Sequence, residues 1–274
     1  MTDVEHVFAD LALARRLEAF AARSQRAFGE VAARLYPGRG SSTLAIAGGW
    51  ASFCLPGASF NQAFGMGMDA PVAVREVDAL EAFFFQRGCA SVVNTTPWTD
   101  RGFLGELVRR GYAVSCFENV LVRELDGAAI ETGDGFDIRV ADDRELWARQ
   151  VALGFSGAGE ATRGDVKVGR IVAYEPGIVP FLAWVGGEPA GTGVLTVHDG
   201  IGSLNGDTTL PPFRGRGIQQ ALQRARLAAA QAAGCTLAVT DASPGSGSQR
   251  NMERNGFRIA YTRTGWAREH TPRG

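Results

Sequence analysis

Residues 211–218 read Pro211-Pro212-Phe213-Arg214-Gly215-Arg216-Gly217-Ile218, between a predicted strand over 203–210 and a predicted helix over 218–232. Backbone N–H groups at a helix start, with the positive end of the helix dipole, can bind an anion. Gly215 and Gly217 permit close approach, and Arg214 and Arg216 add charged donors. The stretch therefore predicts a pyrophosphate-binding loop. A solvated turn with two surface arginines is the alternative.

Two common nucleotide-binding motifs fail at this loop. A dinucleotide fingerprint needs a third glycine where Gln220 stands, and an acidic residue about 20 positions later. A Walker loop ends in Gly-Lys-Ser or Gly-Lys-Thr, whereas this chain continues with Ile218 and Gln219. The anion is therefore predicted to belong to a different kind of cofactor.

The composition is that of a globular protein with a sizeable core. The chain has 274 residues, 45% of them hydrophobic, and this length predicts two domains. Twenty-eight basic and 29 acidic residues give a net charge of -1, which provides no long-range electrostatic attraction for nucleic acid or an anionic membrane.

The four cysteines lack metal-ligand spacing, so we predict free thiols and no metal. With neither a signal sequence nor a long apolar run, a soluble cytoplasmic protein is expected.

Hydrophobic periodicity predicts a succession of helices and strands in both halves. In the first half, helices are predicted over 4–35, 72–86 and 101–110, and strands within 43–64, 91–94 and 116–122. In the second half, strands are predicted over 136–140, 180–185, 191–198 and 203–210, with helices over 142–153 and 218–232. The polar segment 126–134 resembles a linker. The predicted domains are therefore 1–126 and 136–274.

The two halves contain a repeated pattern. Cys89 and Gly111 are separated by 22 positions, and Cys235 and Gly256 by 21, with helices and strands predicted in the same order around them. Such agreement favours a duplication. The first copy has Gly65-Met66-Gly67-Met68-Asp69-Ala70 in place of the Arg-Gly-Arg-Gly loop. The phosphate site is therefore predicted in one copy only.

The chain resembles the GNAT superfamily of acyl-CoA-dependent N-acyltransferases, and in particular its members with two GNAT modules in tandem. The stretch 214–219 is similar to the family loop Arg/Gln-x-x-Gly-x-Gly/Ala, except that Gln219 replaces the last small residue. Arg254-x-Gly256-Phe257 resembles the closing segment of the family. The resemblance implies an α/β fold of two modules, each a mixed, mainly antiparallel sheet flanked by helices, with a degenerate N-terminal copy.

The resemblance also implies an activity. Such a protein is an N-acetyltransferase that moves an acetyl group from acetyl-CoA to a primary amine by direct attack in a ternary complex. The expected partner is a small-molecule amine, and neither nucleic acid nor a membrane is an expected partner. Whether the protein forms a homodimer stays open. A non-catalytic acyl-CoA-binding or regulatory protein is the second hypothesis, and an unrelated nucleotide-phosphate binder is the third. The residues implied to bind the cofactor are Thr208, Thr209, Leu210, Arg214, Gly215, Arg216, Gly217, Ile218, Gln219, Ser246 and Ser248.

The acid, the base and the acceptor site are less well marked. The tyrosine that the family places before its Gly-Phe pair falls on Met252, so Tyr261 is the candidate acid, with a core-packing tyrosine as the alternative. Asp207 is the candidate base, or a solvated turn carboxylate. Glu160, in the loop 157–160, is the candidate contact for a cationic substrate. The alternative is that its carboxylate contacts no ligand. Ser246 and Ser248 stand near the position of a family asparagine, and helix capping explains them equally well.

Overall fold

The computed structural model describes residues 8–132, 135–156 and 160–270. These residues form two compact units. The C-terminal unit contains the described residues of 120–260, and the N-terminal unit contains 8–119 together with 261–270. The final part of the chain thus belongs to the N-terminal unit, whereas the sequence predicts one continuous C-terminal domain.

The described residues form helices and strands interspersed along the sequence, which confirms the predicted α/β class. The helices are α1 (Leu11–Leu35), α2 (Val74–Phe85), α3 (Arg101–Arg109), α4 (Arg144–Ser156), α5 (Arg163–Ala173), α6 (Ile218–Ala232) and α7 (Gly247–Arg254). The strands are β1 (Ser42–Ile46), β2 (Gly49–Phe53), β3 (Gln62–Phe64), β4 (Ser91–Thr95), β5 (Ala113–Glu124), β6 (Asp137–Val140), β7 (Ile178–Val185), β8 (Glu188–His198), β9 (Ile201–Thr209), β10 (Leu237–Ala242) and β11 (Arg258–Arg268).

The first helix begins later than its hydrophobic pattern suggests. Asp10 caps α1, because its carboxylate accepts a hydrogen bond from the Leu13 amide at 2.8 Å. A side-chain acceptor at this position satisfies one of the amides that a helix start leaves open. The predicted start at Val4 lies outside the described residues.

The N-terminal unit contains a mixed sheet with the strand order β1-β2-β3-β4-β11. All neighbouring strands in it are antiparallel except β3 and β4, which pair in parallel at Ala63 and Val93. Its core contains apolar side chains of α2 and α3, including Leu80, Phe84 and Phe103. This unit therefore has the predicted form of a mixed, mainly antiparallel sheet with helices packed on it.

Strand β11 is bound into the N-terminal unit by backbone and side-chain contacts. Residues 264–268 pair with Ser91–Thr95 of β4. Glu18 of α1 is buried, and its Oε1 accepts hydrogen bonds from the Tyr261 hydroxyl at 2.7 Å and from Arg263 Nη2 at 2.9 Å. These partners are more than 240 positions apart in sequence. The assignment of the chain end to this unit follows from such long-range contacts.

In the C-terminal unit, the strand order is β10-β9-β8-β7-β6. All its pairs are antiparallel except β10 with β9. The predicted hairpin is present, because β7 and β8 join through Gly186 and Gly187. Helix α6 packs on one face, against Leu195 and Leu204, and α4 packs on the other, against Val194. Both units therefore confirm the predicted sheet type.

All four cysteines are free thiols. Within the described ranges, no helix combines the length and the apolar character that a membrane crossing requires. Across the same residues, no three His, Cys, Asp or Glu side chains gather as a metal site would require.

Candidate functional site

Strands β9 and β10 pair along only a short stretch. Their parallel register covers Ile201–Ser203 and Leu237–Val239, and just beyond it the Thr240 hydroxyl donates to the Leu204 carbonyl at 2.8 Å. Among the described residues, β9 then continues to Thr209 paired with β8 alone. From Asn205 onward, one edge of β9 therefore presents backbone groups that no neighbouring strand uses.

The register identifies which backbone groups point to this open edge. The Leu210 amide donates to the Ala190 carbonyl at 2.9 Å, and Thr208 stands opposite Thr192. Hydrogen-bonded and non-hydrogen-bonded pairs alternate in an antiparallel ladder. The intervening pair, Gly191 with Thr209, is therefore a non-hydrogen-bonded pair. The N–H and C=O of Thr209 consequently point away from β8. In agreement, Arg214 Nε donates to the Thr209 carbonyl at 3.1 Å.

The predicted anion loop directly follows this strand. Pro211–Phe213 form one 3-10 turn, and Gly217 is the N-cap of α6 with φ of 86°. A glycine takes this left-handed conformation without steric cost. Gly217 has no side chain to cap the helix, so the first amides of α6, from Ile218 to Gln220, are presented outward, as at any uncapped helix start. The local geometry is that of an anion-binding helix start.

A cavity of about 620 Å³ connects the open edge of β9 with the start of α6. Seven residues predicted to bind a cofactor line it, together with the candidate base. The lining residues are Gly154, Phe155, Asp207, Thr208, Thr209, Phe213, Arg214, Gly215, Gly217, Ile218, Gln219, Gln220, Asn251 and Arg254. The structure thus brings most of the predicted cofactor residues together around one space.

Some of the lining residues had no assigned role in the sequence. Gly154 and Phe155 come from α4, and Asn251 and Arg254 come from α7. Asn251 Nδ2 donates to Gln219 Oε1 at 2.8 Å, which joins α7 to the first turn of α6. A spacing of three on one helix could have marked Asn251 and Arg254 as neighbours. Nothing in the sequence indicated Phe155, a residue that is 69% exposed.

Four predicted cofactor residues do not line the cavity. The Leu210 amide is used by Ala190, and the Arg216 guanidinium lies 5.6 Å from the ring centre of Phe213. Ser246 caps α7 through a hydrogen bond from the Gln249 amide at 3.1 Å, so the structure shows the capping role. The Ser248 hydroxyl accepts from Gln219 Nε2 at 3.3 Å. It therefore lies beside the cavity residues without facing the space itself.

Asp207 is engaged in a buried ion pair. Its side chain is 8% exposed, and its two carboxylate oxygens accept from Nη1 and Nη2 of Arg226, which is fully buried. Burial raises the pKa of Asp207, while the charge and hydrogen bonds of Arg226 act in the opposite direction. The sequence suggested a base or a solvated turn carboxylate, and neither hypothesis included this partner.

The candidate acid and acceptor residues are not grouped with the cavity. Tyr261 belongs to the N-terminal unit, where its hydroxyl donates to Glu18 and its ring meets Trp98 edge-on at 5.5 Å. Burial raises the pKa of Tyr261 well above its usual range. Met252 is buried in the core of the C-terminal unit. Glu160 is exposed ahead of α5, and residues 157–159 of its predicted loop lie outside the described residues.

The corresponding loop of the N-terminal unit is held by internal hydrogen bonds. The Gly67 amide donates to the Ala47 carbonyl at 3.1 Å, and the Gly67 carbonyl accepts from the Asp100 amide at 3.0 Å. The Asp100 carboxylate accepts from the Val72 amide at 3.2 Å, just before α2. The Glu76 carboxylate accepts from the Ala73 amide at 2.7 Å. Two protein carboxylates thus accept hydrogen bonds from the two amides that immediately precede α2.

Comparison with known proteins finds similarity in structure only, because no family model and no curated protein matches the sequence. A GCN5-related N-acetyltransferase from Kribbella flavida is 19% identical, with 94% of this chain and 96% of that chain covered and a TM-score of 0.61. A tandem GNAT protein from the clavulanic acid biosynthesis pathway is 15% identical, with 98% of both chains covered and a TM-score of 0.57. A GCN5-related N-acetyltransferase from Sphaerobacter thermophilus is 19% identical, has a TM-score of 0.53, and is covered over 60% of its own length.

Proposed function

Because this chain has the fold of tandem GNAT proteins, we propose that it is an acetyl-CoA-dependent N-acetyltransferase whose C-terminal unit binds the cosubstrate. Its acceptor is the primary amine of a small molecule, which attacks the thioester directly in a ternary complex. One observation carries the proposal: the open edge of β9 and the uncapped start of α6 border the same cavity. An elongated acyl thioester with a pyrophosphate needs both features.

The two ends of the cavity suit different parts of CoA. The amides of Ile218–Gln220 would hold the pyrophosphate, with Arg214 contributing positive charge. The pantetheine arm, which contains amide groups, would lie along the open edge of β9 and form hydrogen bonds as an added strand does. Arg254 adds a second cation to the lining. These contacts account for affinity without a metal.

The outward N–H of Thr209 is the donor that we assign to the thioester oxygen. As the amine nitrogen bonds to the carbonyl carbon, negative charge develops on that oxygen, and a fixed backbone donor stabilises it. The carbon–sulfur bond then breaks, the nitrogen loses a proton, and the departing thiolate gains one. The products are the acetylated amine and CoA thiol.

Phe155 gives the cavity an apolar wall beside the thioester segment. It follows Gly154, which lies against Thr208, and a bound ligand would cover part of its exposed ring. We therefore expect an acceptor with an apolar portion next to its amine.

Two measurements test the proposed function. Acetyl-CoA with a panel of primary amines should release CoA thiol, and CoA should raise the melting temperature while ATP and NAD do not. Ligand at 100 times its dissociation constant stabilises a protein by about 2.7 kcal/mol, which is measurable. Stabilisation by CoA without turnover on any amine would favour the non-catalytic hypothesis. Equal stabilisation by ATP would favour a nucleotide-phosphate binder.

A further inference from the structure

Strand β9 contains a bulge immediately before the cavity. Thr192 of β8 is paired with Thr208, but Val194 is paired with Asn205, so three steps along β9 oppose two along β8. Gly206, inside the irregular stretch, has φ of 65°, a left-handed conformation. One extra residue in a strand exchanges the faces on which all later side chains stand.

The bulge decides which helix Asp207 faces. Before it, Leu204 packs on the side of α6, and Asn205 stands opposite Val194 on the side of α4. Regular alternation would place Asp207 with Asn205 on the α4 side. The extra residue instead directs Asp207 to α6, where Arg226 binds it, and directs Thr208 to α4, where it meets Gly154.

Arg226 satisfies the groups that the bulge removes from the ladder. Its guanidinium donates to the carbonyls of Val194 at 3.1 Å and Asn205 at 3.0 Å, besides both oxygens of Asp207. Its Nε donates to the Leu222 carbonyl of its own helix at 3.0 Å. The side chain is fully buried, so each of these partners replaces water.

Gly193 provides the space for this guanidinium. A Cβ at position 193 would lie 2.6 Å from Arg226 Cζ, and the guanidinium has no room to withdraw because it is bound on several sides. The bulge, the ion pair and the glycine form one arrangement. We call Gly193, Asp207 and Arg226 the bulge clamp.

We propose that Asp207 and Arg226 are positioning residues, which hold β9 in its bulged register and thereby point the Thr209 N–H into the cavity. This inference rests on the proposed function for its catalytic consequence. Neither side chain needs to touch CoA, and neither transfers a proton. Replacing a buried ion pair often leaves stability unchanged, so a role in setting the register explains its presence better than stability does.

The test compares Asp207→Asn and Gly193→Ala with Leu227→Ala. Leu227 follows Arg226 in α6 and is buried in the same core, but none of the clamp hydrogen bonds involves it, so its truncation destabilises the unit without removing a clamp contact. Below the melting temperature of each variant, we expect the two clamp variants to lower kcat on the order of 10- to 100-fold, because small misplacements near the reacting atoms are costly. CoA affinity should fall by a smaller factor than kcat, since the start of α6 keeps its pyrophosphate donors and only the contacts along β9 weaken. Leu227→Ala should keep kcat near wild type.

Hydrogen exchange gives a second readout that needs no cofactor. Peptides covering 203–210 should exchange faster in both clamp variants, while peptides of the β7–β8 hairpin turn, over 184–189, keep their wild-type rates. Unchanged exchange over 203–210, unchanged kcat in both clamp variants, or an equal loss of kcat in Leu227→Ala would overturn the inference. Should the wild type neither bind nor turn over acetyl-CoA, the proposed function fails, and the exchange result still decides whether the clamp holds the bulge.

Discussion

Gly154 lies against Thr208 so closely that a Cβ at position 154 would come within 2.8 Å of the Thr208 Cγ2 and nearer still to its Cβ. Only a glycine lets α4 approach β9 at this point. The approach places Phe155 at the cavity and supports the strand that carries the Thr209 N–H. The contact thus links helix packing to the geometry of the proposed thioester site.

Gly154→Ala should destabilise the C-terminal unit by about 1–3 kcal/mol, the cost of inserting a methyl group into a packed contact. It should also weaken CoA binding, because Thr208 must move. Thermal unfolding and CoA titration measure the two effects. Gly105→Ala is the matched control, since a Cβ there meets nothing closer than Arg109 Nη1 at 3.6 Å. An alanine at 154 that leaves both quantities unchanged would refute the close contact.

Thr209→Pro should remove the donor assigned to the thioester oxygen while sparing the ladder. Proline lacks an N–H, and the Thr209 N–H points away from β8. Loss of one such donor costs on the order of 10²–10³ in kcat. Thr209→Val, which keeps the N–H, should retain turnover. Steady-state kinetics with acetyl-CoA compare the two variants, and equal kcat values would exclude this backbone group as the polarising donor.

Tyr261→Phe should lower the stability of the N-terminal unit by about 1–2 kcal/mol, because it removes a buried hydrogen bond to Glu18. Turnover should be unaffected, in contrast to the hypothesis that Tyr261 is the acid. Denaturant unfolding and kcat are the measurements. A large fall in kcat at full stability would restore Tyr261 as the proton donor.

Much of the cavity could be predicted because its signals are local. The Gly-Arg loop, the hairpin at Gly186–Gly187 and the bounds of α6, residues 218–232, follow from turn chemistry and helical periodicity within a few residues. Backbone donors need no particular side chains, so a short motif is sufficient to place them.

Other parts depend on pairings that periodicity cannot show. Asp207 meets Arg226 only because one extra residue in β9 exchanges the faces of the strand, and no sequence signal marks that bulge apart from Gly206. Tyr261 finds Glu18 across more than 240 residues. The roles predicted for Asp207 and Tyr261 from their neighbours in sequence therefore did not take Arg226 or Glu18 into account.

Arg214→Ala should weaken CoA binding by roughly 1.5–3 kcal/mol, as expected for a hydrogen bond between charged groups. Arg216→Ala should weaken it less, because Arg216 stacks on Phe213 outside the lining of the cavity. Both variants lose one positive charge, so calorimetric titration of the two separates a direct contact between the arginine and CoA from the general electrostatic attraction of the loop. The reverse order would mean that Arg216 turns toward the cofactor when it binds.

We expect one CoA to bind each chain, at the start of α6. Isothermal titration of CoA into the wild type and Gly217→Ala tests it most directly, since alanine is strained at φ of 86° and displaces the first amides of the helix. The wild type should bind one CoA per chain, and the variant should bind it with an affinity at least about tenfold weaker. Absence of binding, two CoA molecules per chain, or equal affinities in the two proteins would contradict it.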